Sequence, residues 1–374
     1  MIRVGVLTSS RADYGIYLPL LKTLRKDDEF ELKIIVFGTH LSKIHGYTLN
    51  EIIEDGFSPF SLVESMLIGD SPNAIATGYA LTALKFADFW KENQKEFDLV
   101  FSLGDRFEMA AAVAASLPYQ LKIAHLHGGE TTLGAIDNVY RHSISLSSYF
   151  HFVSTEVFKS RLIQLLEIDE PKIYNIGSLS LENMSNMAFL SISDFKEKWG
   201  IDLSLETILV TIHPETVDFE MNASFSKQVA IALEYLASEF QIVITMPNAD
   251  TSGMIFRSTF EMLAKKYSRI KIVENFGTQS YFTCMRYSKL IIGNSSSGII
   301  EAATFNKYVL NLGERQKGRL AGDNVIHLPF ESKRIIDLAK YYSKKEFQGP
   351  NIYFQPSPSE KISRVIKAYY ANFS

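Results

Sequence analysis

Short apolar, β-branched runs alternate along this chain with longer stretches whose apolar positions recur at helical spacing, and the alternation happens twice. A strand covered on both faces reads as a near-continuous run of Val, Ile and Leu, whereas a helix packed on one side repeats its apolar residues every three or four positions. On this pattern strands are predicted at 3–7, 32–37, 99–103, 123–126 and 151–153 in the first half. In the second half they fall at 207–212, 241–245, 271–273, 290–292 and 308–312. Helical patterns lie between them, so each half reads as strand–helix–strand units around a parallel sheet. The join is placed near Gly177, where Tyr174-Asn175-Ile176-Gly177-Ser178 follows the last helix of the first half. The predicted domains are 1–176 and 177–374, with the terminal helix pattern at 360–370 a candidate to pack back onto the first domain. The expected class is α/β, two Rossmann-like domains facing a central cleft that closure would shield from water.

Composition narrows the class further. A chain of 374 residues exceeds the usual size of one core, and its 46% hydrophobic content suffices for two. The net charge is −4 with charges interspersed, so the electrostatic footprint of a nucleic-acid binder is absent. Cys284 is the single cysteine; no intrachain disulfide can form, which suits a reducing compartment. Met1-Ile2-Arg3 runs straight into strand-like Val4-Gly5-Val6-Leu7, leaving no room for a signal peptide, and the longest apolar helix pattern, 109–117, is too short to cross a bilayer. A soluble cytoplasmic protein is expected.

The candidate chemistry begins with three carboxylates on neighbouring strand ends. The run ending at Leu103 breaks at Gly104-Asp105, and an Ala-rich helical pattern follows until Pro118. The next run, ending at Leu126, is followed by Gly128-Gly129, which allow a sharp turn before Glu130; Asp137 comes seven positions later. Ligands of open α/β sheets collect outside the carboxyl ends of the strands, where all three would lie. Asp105 and Asp137 each have a plainer reading as helix caps. His125, His127, Glu130, Asp137 and His142 also form a tolerable zinc or manganese ligand set, with the two histidines sharing one strand face. No D-x-D motif accompanies it, and no cofactor is called for.

In the second half, Gly293-Asn294-Ser295-Ser296-Ser297-Gly298 leads from a strand into a helical pattern. Such a loop offers N–H groups and hydroxyls at the positive end of a helix, an anion site unless the serines merely cap it. Glu301 in the first turn could bond ribose hydroxyls. Arg11, Arg315 and Arg319 sit in loops, where a guanidinium suits a diphosphate, although single arginines are more often surface ion-pair partners. His213, at a strand end in Thr211-Ile212-His213-Pro214-Glu215-Thr216, could donate to a phosphate or leaving group.

Together these segments carry a resemblance. GDRFEMAAAVAA, AHLHGGETTLGAIDNVYRHSI, TIHPET, MPNAD, GNSSSGIIEAATF and NLGERQKGR occur in the order seen in hydrolysing UDP-N-acetylglucosamine 2-epimerases, the bacterial enzymes that make N-acetylmannosamine for sialic acid. The resemblance runs from TSSRADYG to Asn324-Val325. Non-hydrolysing relatives typically show a GDTTT-like loop and an H-x-E-A-G-L-R segment, where this chain has GDRFE and HLHGGE. It implies a glycosyltransferase-B type fold with UDP held mainly by the second domain. The UDP site would use Arg11, Asn248, Ser295, Ser296, Glu301 and Arg315; the reacting sugar would meet Asp105, Glu130, Asp137 and His213. Some members act instead on UDP-2,4-diacetamido-2,4,6-trideoxyglucose, for legionaminic acid, and no motif decides between the two sugars. A UDP-sugar glycosyltransferase would share the nucleotide pocket without needing the acidic trio. The expected partners are a UDP-sugar and further copies of the chain, as a homodimer or homotetramer, with no nucleic acid and no membrane.

Overall fold

The computed structural model describes residues 1–67, 69, 71–133, 136–168, 172–215, 219–247 and 253–372. They form two compact units. The first comprises Met1–Glu130, Ile136–Ser185 and Tyr353–Ser374; the second comprises Thr131–Ala135 and Asn186–Ile352.

The first unit holds a sheet of seven strands: β1 (Ile2–Thr8), β2 (Phe30–Phe37), β3 (Pro59–Val63), β4 (Leu99–Leu103), β5 (Ile123–Leu126), β6 (Phe150–Val153) and β7 (Lys172–Asn175). Their order is β3-β2-β1-β4-β5-β6-β7, every pair parallel. Side chains alternate between two helical layers. Val4, Val6, Phe101 and Phe152 pack with Leu20 and Leu24 of the helix Arg11–Lys26 and with Ile362 and Ile366 of the last helix, Pro358–Ala371. On the other face, Leu7, Ile35, Phe37 and Val100 meet Phe86 and Trp90 of the helix Pro72–Asn93 and Met109 of the helix Phe107–Ser116. The last helix is also tied polar-wise to this unit: Lys367 pairs with Asp27 at 2.8 Å, and Thr23 Oγ1 donates to Ser359 Oγ at 2.9 Å.

The second unit repeats the plan with β8 (Thr207–Thr211), β9 (Gln241–Thr245), β10 (Ile270–Val273), β11 (Leu290–Gly293), β12 (Val309–Leu312) and β13 (Val325–Leu328), ordered β10-β9-β8-β11-β12-β13 and again all parallel. Ile208, Val210, Ile242, Ile244 and Ile292 pack against Val229, Leu233 and Leu236 of the helix Asn222–Leu236. Both sheets therefore have the Rossmann order, reversing direction between β1 and β4 and between β8 and β11. At the second reversal β8 and β11 approach so closely that a Cβ on Gly293, whose φ is +153°, would lie 1.9 Å from the Thr211 carbonyl oxygen. No side chain fits there.

The strands absent from the sequence pattern, β3, β7 and β13, are all edge strands. An edge strand is covered on fewer sides, so it needs no continuous apolar run. Among the described residues no helix is long and apolar enough to cross a membrane.

Candidate functional site

The reversal in the first sheet puts the loops after β1 and β4 beside the position where open α/β sheets take ligands. The β1 loop is tied to the start of its helix: the buried Asp13 carboxylate accepts from the N–H groups of Ser9 and Ser10 at 2.9 and 3.1 Å and from both serine hydroxyls at 2.6 Å. Arg11, the first residue of the following helix, is exposed, with its guanidinium 3.9 Å from the Glu51 carboxylate. A pair so exposed contributes little to stability.

After β4, Asp105 leaves the capping of the helix Phe107–Ser116 to Arg106, which uses no side-chain bond for it. Its carboxylate instead accepts from Nη2 of Arg141, a buried residue on the helix Asp137–Leu146. The same guanidinium reaches Glu130: Arg141 Nη1 lies 3.7 Å from Glu130 Oε2 and donates to the His127 carbonyl at 2.9 Å. Glu130 is buried, and its Oε1 accepts from Ser154 Oγ at 3.1 Å and lies 2.8 Å from His127 Nδ1. Two acids from different loops are thus held on one fixed cation. Asp137 is the first residue of its helix and half-buried; its charge acts on Arg106, which also pairs with Glu108 at 2.8 Å.

The metal-site alternative meets a different geometry. β5 ends at Leu126, and His127 turns away with φ +63°, so the strand alternation that would align it with His125 stops short. His125 spends Nδ1 on Ser145 Oγ at 3.0 Å and Nε2 on the Gly104 carbonyl at 2.9 Å, and burial lowers its pKa to about 3. It braces the Gly104 turn as a neutral ring. Among the described residues no three His, Cys, Asp or Glu side chains gather closely enough to hold a metal ion.

In the second unit the reversal lies between the loops after β8 and β11. Buried Asn294 joins them: its Oδ1 accepts from His213 N–H at 2.7 Å and its Nδ2 donates to the His213 carbonyl at 2.9 Å. Burial, helped by Arg315, pushes the pKa of His213 down to about 4, and its Nδ1 is buried without a hydrogen bond. Ser295 caps a helix of one turn, Ser296–Ile300, with its Oγ 3.0 Å from that of Ser297. A helix this short supplies little macrodipole, so anion binding here rests on N–H groups and hydroxyls. Ser297 Oγ continues to Tyr281 Oη at 2.7 Å, which fixes the loop against the sheet through Thr211 at 3.3 Å. Glu301 is buried directly after this helix.

Arg315 is positioned by Glu215. The buried Glu215 carboxylate accepts from the N–H groups of Glu314 and Arg315 at 3.0 and 3.1 Å, while Arg315 Nη1 donates to the Pro214 carbonyl at 3.1 Å. Further along that loop, the Lys317 carbonyl accepts from Leu133 N–H at 2.8 Å and Arg319 Nη2 donates to Thr132 Oγ1 at 3.4 Å. Asn248 lies outside the described residues. Arg141, His127, Asn294 and Glu215 were not singled out from the sequence for these roles. The one local signal for Arg141 is its spacing of four from Asp137, one helical turn.

The sequence matches the family model for UDP-N-acetylglucosamine 2-epimerase over residues 22–367. The chain belongs to this family. It is 34% identical over 345 residues to the Campylobacter jejuni GDP/UDP-N,N'-diacetylbacillosamine 2-epimerase (hydrolyzing), covering 92% of this chain and 87% of the relative. It is 32% identical over 370 residues to the Legionella pneumophila UDP-N,N'-diacetylbacillosamine 2-epimerase (hydrolyzing), covering 98% and 96%. Among solved structures, the Neisseria meningitidis UDP-GlcNAc 2-epimerase bound to UDP-GlcNAc superposes with a TM-score of 0.80 at 19% identity, covering 98% of this chain and 99% of that one. The two α/β units thus have the glycosyltransferase-B-like fold of this enzyme family, and the chain is an enzyme of the UDP-sugar 2-epimerase type.

Proposed function

We propose that this epimerase is hydrolysing: it takes a UDP-linked 2-acetamido sugar, expels UDP to leave a glycal, and adds water to release the free sugar inverted at carbon 2. The observation that carries this reading is the gathering of Asp105 and Glu130 on Arg141 at the carboxyl edge of the first sheet. The hydrogen on carbon 2 is scarcely acidic, so direct inversion is hard, and its removal is eased when the diphosphate departs from carbon 1 in the same step. Water then adds at carbon 1 and a proton returns to the opposite face of carbon 2. Two proton transfers on two faces need more than one acid–base group, and the candidates at this edge are Asp105, Asp137 and Glu130, the last bonded to His127.

The nucleotide half of the substrate is assigned to the second unit. Ser295, Ser296 and the adjoining N–H groups suit phosphate oxygens, Glu301 suits ribose hydroxyls, and His213 and Arg315 stabilise charge on the leaving diphosphate. Arg11 and Asn248 join the UDP site by resemblance to the family. For the sugar we take UDP-2,4-diacetamido-2,4,6-trideoxyglucose, the diacetylbacillosamine named in both relatives. UDP-N-acetylglucosamine, en route to sialic acid, is the second reading, supported by the description of the family model.

The test is turnover of both UDP-sugars in heavy, oxygen-18-labelled water. The released manno-configured sugar should carry deuterium at carbon 2 and oxygen-18 at carbon 1, and UDP should carry no label. Protium retained at carbon 2, or label in UDP, would exclude the glycal route, and the ratio of kcat/KM values decides the sugar.

A further inference from the structure

We infer that His127 is the base that takes the proton from carbon 2, and that Glu130 is the positioning residue that makes it one; this rests on the glycal reading above. Glu130 is poorly placed to meet a sugar itself. It is 2% exposed, its Oε1 is taken by Ser154 and His127, and its Oε2 faces Arg141. His127, also buried, is the less deeply covered of the pair, its side chain 10% exposed against 2% for Glu130. Its Nδ1 faces Glu130, whereas its Nε2 bonds no described residue and is not among the buried unpartnered atoms. A carboxylate can only accept, so the ring proton sits on Nδ1 and the lone pair on Nε2. This is the arrangement by which a buried acid fixes tautomer and ring orientation for a catalytic imidazole.

The backbone supports the same assignment. His127 holds φ +63°, an unfavourable conformation for a residue with a Cβ, and it is clamped there from both sides. Its N–H donates to the Phe152 carbonyl at 3.0 Å, and its own carbonyl accepts from Arg141 at 2.9 Å. Strain held by surrounding structure in this way accompanies functional positions. The charged and titratable groups around the ring are Glu130, Arg141, His125 and, through Arg141, Asp105.

The step balances as follows. The Nε2 lone pair takes the proton; the carbon–hydrogen electron pair becomes the double bond between carbons 1 and 2; the bond from carbon 1 to the β-phosphate oxygen breaks, and its pair leaves on UDP. The imidazolium is neutralised by Glu130 and returns its proton to solvent.

His127→Asn keeps an N–H where Nδ1 stood and removes Nε2. In that variant kcat should fall about 100-fold or more while UDP affinity and melting temperature hold, because a positioned base is lost and nothing else. Deuterium exchange at carbon 2 should fall in parallel, and the acidic limb of the kcat–pH profile should vanish. His127→Ala should be partly rescued by added imidazole. Glu130→Gln should lower kcat while keeping that limb, since the ring remains but the carboxylate that orients it is gone. A folded His127→Asn enzyme with kcat near wild type, or Glu130→Gln without any limb, overturns the assignment while leaving the epimerase standing. Wild-type enzyme that releases UDP without exchange at carbon 2 overturns the glycal reading itself.

Discussion

Replacing Arg141 by Met removes a cation but keeps most of the aliphatic stem that fills its site. In the native protein the Arg141 side chain is 3% exposed and faces the carboxylates of Asp105 and Glu130, the latter 2% exposed. Asp105, a quarter exposed, can recover part of its solvation from water; Glu130 cannot. Breaking a buried pair by deleting one partner costs about 3–5 kcal/mol, because an uncompensated charge stays buried. At roughly 2–4 °C per kcal/mol for a domain of this size, Arg141→Met should lower the melting point of the first unit by roughly 6–20 °C. Calorimetry of the full chain at neutral pH measures this, with the second unit's transition as internal reference. The decisive comparison is Arg141→Met with Glu130→Gln. Neutralising the stranded acid should restore stability, so the double variant should be more stable than Arg141→Met alone, with a coupling of about 1–3 kcal/mol. A melting point within 2 °C of wild type for Arg141→Met, or a double variant less stable than the single, would refute the charge-compensation argument.

Three further outcomes are expected. Asp105→Asn, Glu130→Gln and Asp137→Asn should each cut turnover about 100-fold or more with little change in UDP affinity, and three folded variants with normal kcat would remove the acidic trio from the mechanism. Arg315→Ala and the pair Ser295→Ala, Ser296→Ala should weaken UDP binding in calorimetry through loss of bonds to the diphosphate, and unchanged affinity would place the nucleotide elsewhere. Burial lowers the pKa of His40, His125 and His151 to about 4, 3 and 4, so the unfolded chain binds more protons than the folded one below about pH 6.5. This contribution is complete above that pH and is lost as pH falls toward 4, by about 2 kcal/mol per histidine at pH 5. The urea midpoint should therefore drop between pH 7.5 and 5, and His151→Gln should drop less; equal drops would show that His151 does not titrate on unfolding.

The central strands could be read from the chain because they are buried on both faces, which demands local apolar runs such as Leu99 to Leu103. The loops that leave β1, β4, β8 and β11 were equally visible, since Gly104 and Gly293 end apolar runs and small polar residues follow. Strand order was not, because nothing local states which strand lies beside which. Only the order reveals that these four loops are the two reversal points. Edge strands such as β3 and β13 escaped for the related reason that their coverage, and so their composition, depends on neighbours. The carboxylates were legible as acids at strand ends, but the partner that joins them was not. Arg141 lies 36 positions from Asp105, and an arginine's reach across that separation is set by how a helix packs on a sheet. The same holds for Asn294, which bonds His213 across 81 positions, and for Glu215, which shapes the Arg315 loop across 100. His127 is the sharpest case. By alternation it should share a face with His125, yet its left-handed backbone, clamped by Phe152 and Arg141, turns it toward Glu130. Residue type and local period are written in the sequence; which buried charge meets which, and which ring nitrogen stays open, are consequences of packing between segments distant along the chain.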